Sequence, residues 1–388
     1  MTLRVLKGTM AAAVLALGGT AALAQDHALP STLVWTTYDT GGAMHTAAVA
    51  ISSALKQSAD LNLRVISAGN GVAQQSTIKA GRADFVLAGF DVYFAQEGAF
   101  QFGARDWGPQ PVRLAMTSMT DQSFALAIAP DLAENVSSPA DLAGLRIAFV
   151  QGSPAIGGAL NALIVACGGL SWDDVTRVDV PGYGASVDAY MNDQADVYFT
   201  STNSGTSLRA DSSSRGLAWV PVPFANTECW DSIRATDPRW IQKVATEGVN
   251  IPEEGIEMAN YPDMMLNTTS DRDPGLVYAM VKAIYDDFDN IEAAAPTTYG
   301  LATDRQILEY VVPFHEGAIR YFTEAGLWTD ELQAHNDALV MRQDVLATAW
   351  DETVARDISD DDEFAEAWKS ARVEALEAAG FAAPVRDW

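Results

Sequence analysis

The sequence predicts an α/β protein of two lobes around a cleft, with a helical extension at its C-terminus. Three observations predict it. One pattern occurs twice: Ile78-Lys79-Ala80-Gly81-Arg82-Ala83-Asp84-Phe85-Val86-Leu87 is matched by Tyr190-Met191-Asn192-Asp193-Gln194-Ala195-Asp196-Val197-Tyr198-Phe199. In each copy a helix ends in polar or Gly residues, an Ala-Asp pair follows, and an apolar β run begins. Around both copies, strands alternate with helices of similar length, the signature of β-α-β units and a mainly parallel sheet. From Thr303 onward the apolar spacing is helical almost to the end. Two such units in one chain suit catching a small molecule better than processing one.

The elements follow in order. Leu33–Tyr38 is a β-rich run that stops at Asp39-Thr40-Gly41-Gly42, and a helix follows to about Lys56. Leu61–Ala68 is the next strand, Val72–Ala80 a helix and Ala83–Ala88 a third strand. Val112–Met119 and Ser123–Ala129 are consecutive strands, the second marking a crossing into the other lobe. Leu145–Val150 restarts the pattern, with helices at Ala155–Ala166 and Ala185–Met191 and strands at Thr176–Val180, Ala195–Thr200 and Leu217–Val222. Phe224 to Asn260 is rich in Trp and polar residues and shows no clean period. Pro262–Asn267 reads as a strand returning to the first lobe, and Pro274–Asp289 as a helix opened by Pro. The acidic, Ala-rich stretch after Trp328 carries Leu339, Leu346 and Trp350 at helical spacing, with disorder the alternative for Asp360–Glu363 alone.

Composition narrows the function. Arg4 and Lys7 precede an apolar run from Met10 to Ala16, and Ala22-Leu23-Ala24 is a cleavage-like site before Gln25. Residues 1–24 are therefore expected to be a secretory signal peptide, the run being shorter than the ~20 residues of a membrane span. The mature chain is expected to be soluble and extracytoplasmic. The 51 Asp and Glu outnumber the 24 Lys and Arg, and no basic stripe offers a nucleic-acid surface. Cys167 and Cys229 are free to pair in an oxidising compartment, while Cys167 equally suits a buried thiol in an apolar helix. No Cys/His spacing suggests a metal and no motif calls for a cofactor. His27, His45, His315 and His335 form no H-E-x-x-H, and no G-x-S-x-G elbow is present, so no enzyme chemistry is expected.

Ligands of open α/β sheets bind at the C-terminal ends of strands. That rule nominates the loops Asp39–Gly42, Gly69–Gly71, Gly89–Asp91, Gln151–Pro154, Gly182–Gly184 and Ser201–Ser204. Most of them open a helix, whose free N–H groups attract anions. Within them, Thr40, Gly41, Gly42, Asn70, Gly71, Asp91, Ser153 and Ser201 are the expected polar or backbone contacts. Tyr38, Phe90 and Tyr183 are the expected aromatic walls. Trp35, Tyr93, Phe199 and Trp230 also lie near these loops, although most aromatics at such spacing belong to the core.

These runs resemble a known family, the TAXI-type solute-binding subunits of tripartite ATP-independent periplasmic (TRAP) transporters. The resemblance covers about Leu33 to Trp328. It rests on Thr40-Gly41-Gly42, Gly81-Arg82-Ala83-Asp84-Phe85, Asp141–Ile147 and Gly182–Ala189. Its most specific part is Pro313-Phe314-His315-Glu316-Gly317-Ala318-Ile319-Arg320-Tyr321-Phe322 followed by Gly326-Leu327-Trp328. It implies the two-lobed periplasmic-binding-protein (Venus flytrap) fold and hinge closure on a small, carboxylate-bearing ligand, an organic acid or amino acid. Delivery to TRAP-type membrane permease subunits is implied with it. The chain departs from the family at Met44-His45, where two tyrosines are usual, and at Gly152-Ser153-Pro154-Ala155, where Gly-Ser-Gly-Thr is usual. The expected division is lobe I over 26–124 with 263–328, lobe II over 125–262, and an acidic helical extension over 329–388. A sensor feeding a receptor kinase and a periplasmic enzyme on the same scaffold are the rival functions. An ABC-type binding protein is a third, against which the Pro313–Tyr321 run argues.

Overall fold

The computed structural model describes residues 29–38, 43–69, 71–89, 91–151, 153–262, 264–386 and 388. The strands are β1 (Thr32–Thr37), β2 (Asn62–Ser67), β3 (Phe85–Ala88), β4 (Val112–Met116), β5 (Phe124–Ile128), β6 (Arg146–Val150), β7 (Thr176–Val180), β8 (Val197–Ser201), β9 (Ala218–Trp219), β10 (Ile241–Ala245), β11 (Ile256–Asn260) and β12 (Met265–Thr269). The helices are α1 (Ala43–Ser58), α2 (Gly71–Lys79), α3 (Val92–Glu97), α4 (Pro130–Ala133), α5 (Pro154–Leu160), α6 (Tyr183–Met191), α7 (Gly205–Asp211), α8 (Thr227–Thr236), α9 (Pro274–Asp286), α10 (Phe288–Ala294), α11 (Glu316–Glu324), α12 (Asp330–Val354) and α13 (Asp361–Ala378). Past Leu160, α5 continues as a π-helical stretch to Cys167. The expected signal peptide lies outside the described residues.

Two five-stranded sheets organise the two lobes, in the orders β2-β1-β3-β12-β4 and β7-β6-β8-β5-β9. Each has a parallel trio built from its β-α-β unit. Each is then joined by antiparallel strands, β12 against β3 and β4 in the first, β5 against β8 and β9 in the second. The sheets are thus mixed rather than mainly parallel. Phe85, Val86 and Leu87 of β3 are all buried, because helices cover both faces of the trio. Trp35 packs on Phe85 with centroids 6.0 Å apart, and each fully buried Leu or Phe of this core contributes about 1.5–3 kcal/mol.

The repeated Ala-Asp pair is a clasp at the N-terminal ends of the strands, away from the cleft. Asp84 Oδ2 accepts the Val34 N–H at 2.8 Å, and Asp196 Oδ2 accepts the Arg146 N–H at 2.9 Å. The Asp84 and Asp196 N–H groups return bonds of 2.7 Å to the Val34 and Arg146 carbonyls. Before each pair, Gly81 and Asp193 take the left-handed turn that ends the helix, at φ 65° and 57°. The sequence pattern therefore marks a structural joint.

Several segments differ from the sequence expectation, each for a tertiary reason. The run Leu217–Val222 keeps only two paired residues, since Pro221 and Pro223 donate no ladder hydrogen bond. Phe224–Asn260 holds α8, capped by Asn226, and the antiparallel pair β10–β11. Residues 303–315 hold a short 3-10 turn over Thr303–Arg305 and are otherwise irregular rather than helical. They run along β4, with Leu114 N–H on the Pro313 carbonyl at 2.9 Å and His315 N–H on the Leu114 carbonyl at 2.8 Å. Asp360 caps α13 by accepting the Glu363 N–H at 2.9 Å, so the acidic run is the start of a helix. Cys167 and Cys229 form a disulfide that ties the end of the α5 segment to α8.

The chain crosses between the lobes at Thr117–Ser123 and near Tyr261–Met264. Asn260 joins these crossings, donating to the Gln122 carbonyl at 2.9 Å and accepting the Phe124 N–H at 3.3 Å. Beside them Asp121 takes Arg305 from one side and Lys243 from the other, both at 2.9 Å. The Arg305 hydrogen bond leads in holding the Asp121 carboxyl at about 2.

The extension α12–α13 docks on the first lobe. Trp350 and Trp368 meet edge-on at 4.9 Å, and the Trp368 indole donates to the Gly98 carbonyl at 2.6 Å. Glu97, the last residue of α3, is fully buried and holds Arg342 of α12 and Arg372 of α13. Burial alone would raise its carboxyl, but Arg372 and Arg342 overrule that and hold it at about 2. The final segment turns back, and the Val385 N–H reaches the Thr236 carbonyl of α8 at 3.1 Å.

Candidate ligand-binding cleft

A cavity of about 990 Å³ opens between the two sheets. Its walls come from residues just beyond the C-terminal ends of β1, β2, β3, β6, β7 and β8, together with the crossing segments. That placement follows from topology, since side chains at strand ends in both lobes converge on the crevice.

Tyr38, Gly71, Asp91, Ser153, Tyr183 and Ser201 all line this cavity. Thr40, Gly41, Gly42, Asn70 and Phe90 lie outside the described residues. Trp35, Tyr93 and Trp230 are core residues with at most 2% of their surface exposed, whereas Phe199 reaches the cavity.

The polar wall is a set of hydroxyls. Tyr183 opens α6, so that helix begins two residues before the expected Ala185 and takes in part of the expected loop. Its phenol oxygen is 2.6 Å from both Thr200 Oγ1 and Thr206 Oγ1. Thr200 Oγ1 in turn lies 3.1 Å from Ser204 Oγ, which caps α7. Ser201 places its hydroxyl against the side-chain oxygens of Gln122 and Asn203. Ser153 caps α5, accepting the Ile156 N–H at 3.4 Å. A solute in this wall meets groups that already have protein partners, so the wall is ordered before a ligand arrives.

The apolar wall is aromatic. Phe124 and Tyr261, one on each crossing, stack at 5.0 Å with planes 17° apart, and Phe124 continues the stack to Phe199 at 6.2 Å. Trp240 meets Tyr261 edge-on at 4.7 Å from behind. Sequence reasoning missed Phe124, Tyr261 and Trp107. The crossing near Ser123 was legible, and an aromatic residue next to a crossing was the available signal.

Asp91 closes the floor. Only 9% of its surface is exposed, and its carboxylate accepts the Gly71 N–H. A Cβ on Gly71 would lie 1.9 Å from Asp91 Oδ2, so glycine is what lets the carboxylate sit there. Burial pushes the Asp91 carboxyl up to about 6, against the opposing pull of Arg239 and the Gly71 bond. Arg239 is itself clamped on Asp237, with Nη2 to Oδ2 at 2.6 Å and Nε to Oδ1 at 2.9 Å. Its guanidinium covers the Phe94 ring at 4.2 Å and the Tyr261 ring at 5.0 Å. No Arg, Lys or His is among the described residues that line the cavity.

The conspicuous Pro313–Tyr321 run builds a joint elsewhere. His315 caps α11, accepting the Gly317 N–H on Nδ1 at 3.1 Å and donating from Nε2 to the Arg272 carbonyl at 3.0 Å. Burial lowers its pKa to about 4, which keeps it neutral. Among the described residues, no cluster of His, Cys, Asp and Glu could hold a metal ion. None of their helices is long and apolar enough to cross a membrane.

Comparison with known proteins gives one family. The NMT1-like family matches residues 36–326. No curated protein sequence matches the chain. Among solved structures, the alkanesulfonate-binding protein SsuA from Xanthomonas axonopodis pv. citri bound to MOPS is similar at 15% identity. That likeness covers 81% of this chain and 85% of that one, with a TM-score of 0.41. The periplasmic aliphatic sulphonate binding protein SsuA from Escherichia coli aligns at 12% identity over 80% and 84% of the two chains, with a TM-score of 0.44. The L-cystine solute receptor of Neisseria gonorrhoeae aligns at 14% identity over 71% and 95%, with a TM-score of 0.37.

Proposed function

We infer the function from a plain premise: the chain belongs to the NMT1-like family. We propose that it is an extracytoplasmic solute-binding protein that captures a small organic acid or amino acid between its lobes and releases it to a membrane permease. The observation that carries this reading is the cavity of about 990 Å³ lined from both lobes at the strand ends. Such a volume suits a metabolite-sized ligand. Of the helices that begin at lining residues, α2 has the Asp91 carboxylate on its first N–H, whereas the N-terminus of the nine-residue α6, at Tyr183, favours a ligand carboxylate. The Cys167–Cys229 disulfide supports an oxidising compartment, and with it export by the N-terminal leader. A permease of the TRAP type is the expected recipient, on the strength of the Pro313–Tyr321 run.

The mechanism is closure about the two crossings. A solute that touches Tyr38 and Asp91 on one side and Ser153, Tyr183 and Ser201 on the other favours the closed state by its extra contacts there. The test is native mass spectrometry of refolded protein exposed to a metabolite extract. A one-to-one small-molecule adduct is expected, absent from Ser76→Trp, which fills the cavity from α2. If the wild-type protein forms no adduct, or if Ser76→Trp keeps it, the capture reading fails.

A further inference from the structure

The cleft floor holds an unbalanced set of buried charges. Two carboxylates, Asp91 and Asp237, stand near one guanidinium, Arg239, which hydrogen-bonds Asp237 through Nε and Nη2. Asp91 lines the cavity, and Arg239 and Asp237 stand behind it rather than in the wall. No basic side chain is among the described residues of that wall. The lining also holds the stacked Tyr261 and Phe124, of which Tyr261 feels the Asp91 charge.

From this geometry we propose that the solute carries a protonated nitrogen, an ammonium or amidinium, that docks on the Asp91 carboxylate. The inference rests on the solute-capture reading and narrows its ligand to an amino-bearing compound, such as an amino acid rather than a simple organic acid. A buried carboxylate whose nearest guanidinium is held by Asp237 gains a partner, and the cation gains a charge-assisted hydrogen bond out of water. A carboxylate alone would meet Asp91 as a like charge, with only helix N-termini to hold it. The Gly71 N–H already on Asp91 fixes the direction in which its other lone pairs point.

The pH response follows from the groups around Asp91. These are Arg239 and Asp237 ahead of β10, Tyr261 in the crossing, and Tyr93 and Glu97 on its own helix. Glu97 is neutralised by Arg342 and Arg372. With the carboxyl at about 6 in the empty cleft, Asp91 is charged at neutral pH and becomes protonated just below it. Ammonium affinity is full above pH 6 and falls about tenfold per pH unit below it.

Isothermal calorimetry on the refolded full chain tests this with two matched sets of probes. One is L-phenylalanine, phenethylamine and 3-phenylpropanoate; the other is L-glutamate, 4-aminobutyrate and glutarate. In the set that fits the cleft, the amino-bearing members should bind at least tenfold more tightly than the des-amino acid. Asp91→Asn, which keeps an acceptor for the Gly71 N–H, should weaken them about ten- to hundredfold. A melting curve for the variant within a few degrees of wild type shows that the loss is not unfolding. Tighter binding of the des-amino acids, an unchanged affinity in Asp91→Asn, or no binding by any probe overturns the inference. The adduct measurement on metabolite extract decides separately whether a solute is captured at all.

Discussion

Replacing Glu97 by Gln removes a buried negative charge that holds the C-terminal extension to the first lobe. Glu97 accepts Arg342 Nε on Oε1 at 2.8 Å and Arg342 Nη2 on Oε2 at 2.7 Å, and Arg372 Nη2 also lands on Oε2. All three side chains are buried. A glutamine keeps one acceptor and leaves two guanidinium groups without a counter-charge. Breaking a buried ion pair from one side costs about 3–5 kcal/mol. The ionisation of Glu97 leads to a similar figure. Its carboxyl is held at about 2 instead of 4.5, which at 1.36 kcal/mol per pKa unit corresponds to about 3 kcal/mol. Because the folded value lies below the unfolded one, this stability is complete above pH 4.5 and drains away as pH falls toward 2. Urea unfolding of wild type and Glu97→Gln at pH 7, and again at pH 3, measures both. Limited proteolysis between α12 and α13 reports release of the extension. A loss under 1 kcal/mol at pH 7, or a difference that does not shrink at pH 3, refutes the reasoning.

Two further outcomes are expected. Replacing both Cys167 and Cys229 by Ser opens a loop closed over a sequence separation of 62 and should cost about 4 kcal/mol in urea unfolding; a loss under 1 kcal/mol would show that the unfolded chain is not constrained by the bridge. Gly71→Ala puts a methyl where Asp91 Oδ2 sits, so the solute adduct should weaken at least tenfold, while Gly205→Ala, whose new Cβ meets nothing within 4 Å, should leave it unchanged; equal effects of the two substitutions would remove Asp91 from the account.

The repeated strand–helix–Ala-Asp units were legible because their period is local. Gly81 and Asp193 end helices by backbone conformation, and Asp84 and Asp196 bind N–H groups that any strand start exposes. The loops at strand ends were legible for the same reason, and six of the residues nominated there stand around one cavity. What could not be read was set by distant partners. Residues 303–315 have helical composition but are drawn out along β4 by Leu114 and by Gln306, which clamps Thr117. The β10–β11 pair is separated by a ten-residue connection and shows only weak alternation. Nothing local around Arg239 announces that Asp237, Phe94 and Tyr261 will enclose it. Likewise, Pro313–Tyr321 is distinctive because α11 must approach α9 closely; a Cβ on Gly317 would lie 2.2 Å from the Pro274 carbonyl oxygen. The run thus stands apart from the residues that line the cleft.

The position of β12 sets an order of assembly. β4 joins its sheet only through β12, and β3 meets β4 only across it. The first-lobe sheet therefore stays split until residues 265–269 are available. By then every strand of the other sheet has already appeared, between residues 124 and 219. The second lobe matures first and the first lobe closes around a strand delivered late, with its docking helices later still. Until α12 and α13 arrive, Glu97 is a lone carboxylate that must remain in water. The floor of the cleft, which continues from Asp91 into α3 and Glu97, is thus the last part of the molecule to set. A protein stalled before its final sixty residues would have two lobes but an unfinished trap.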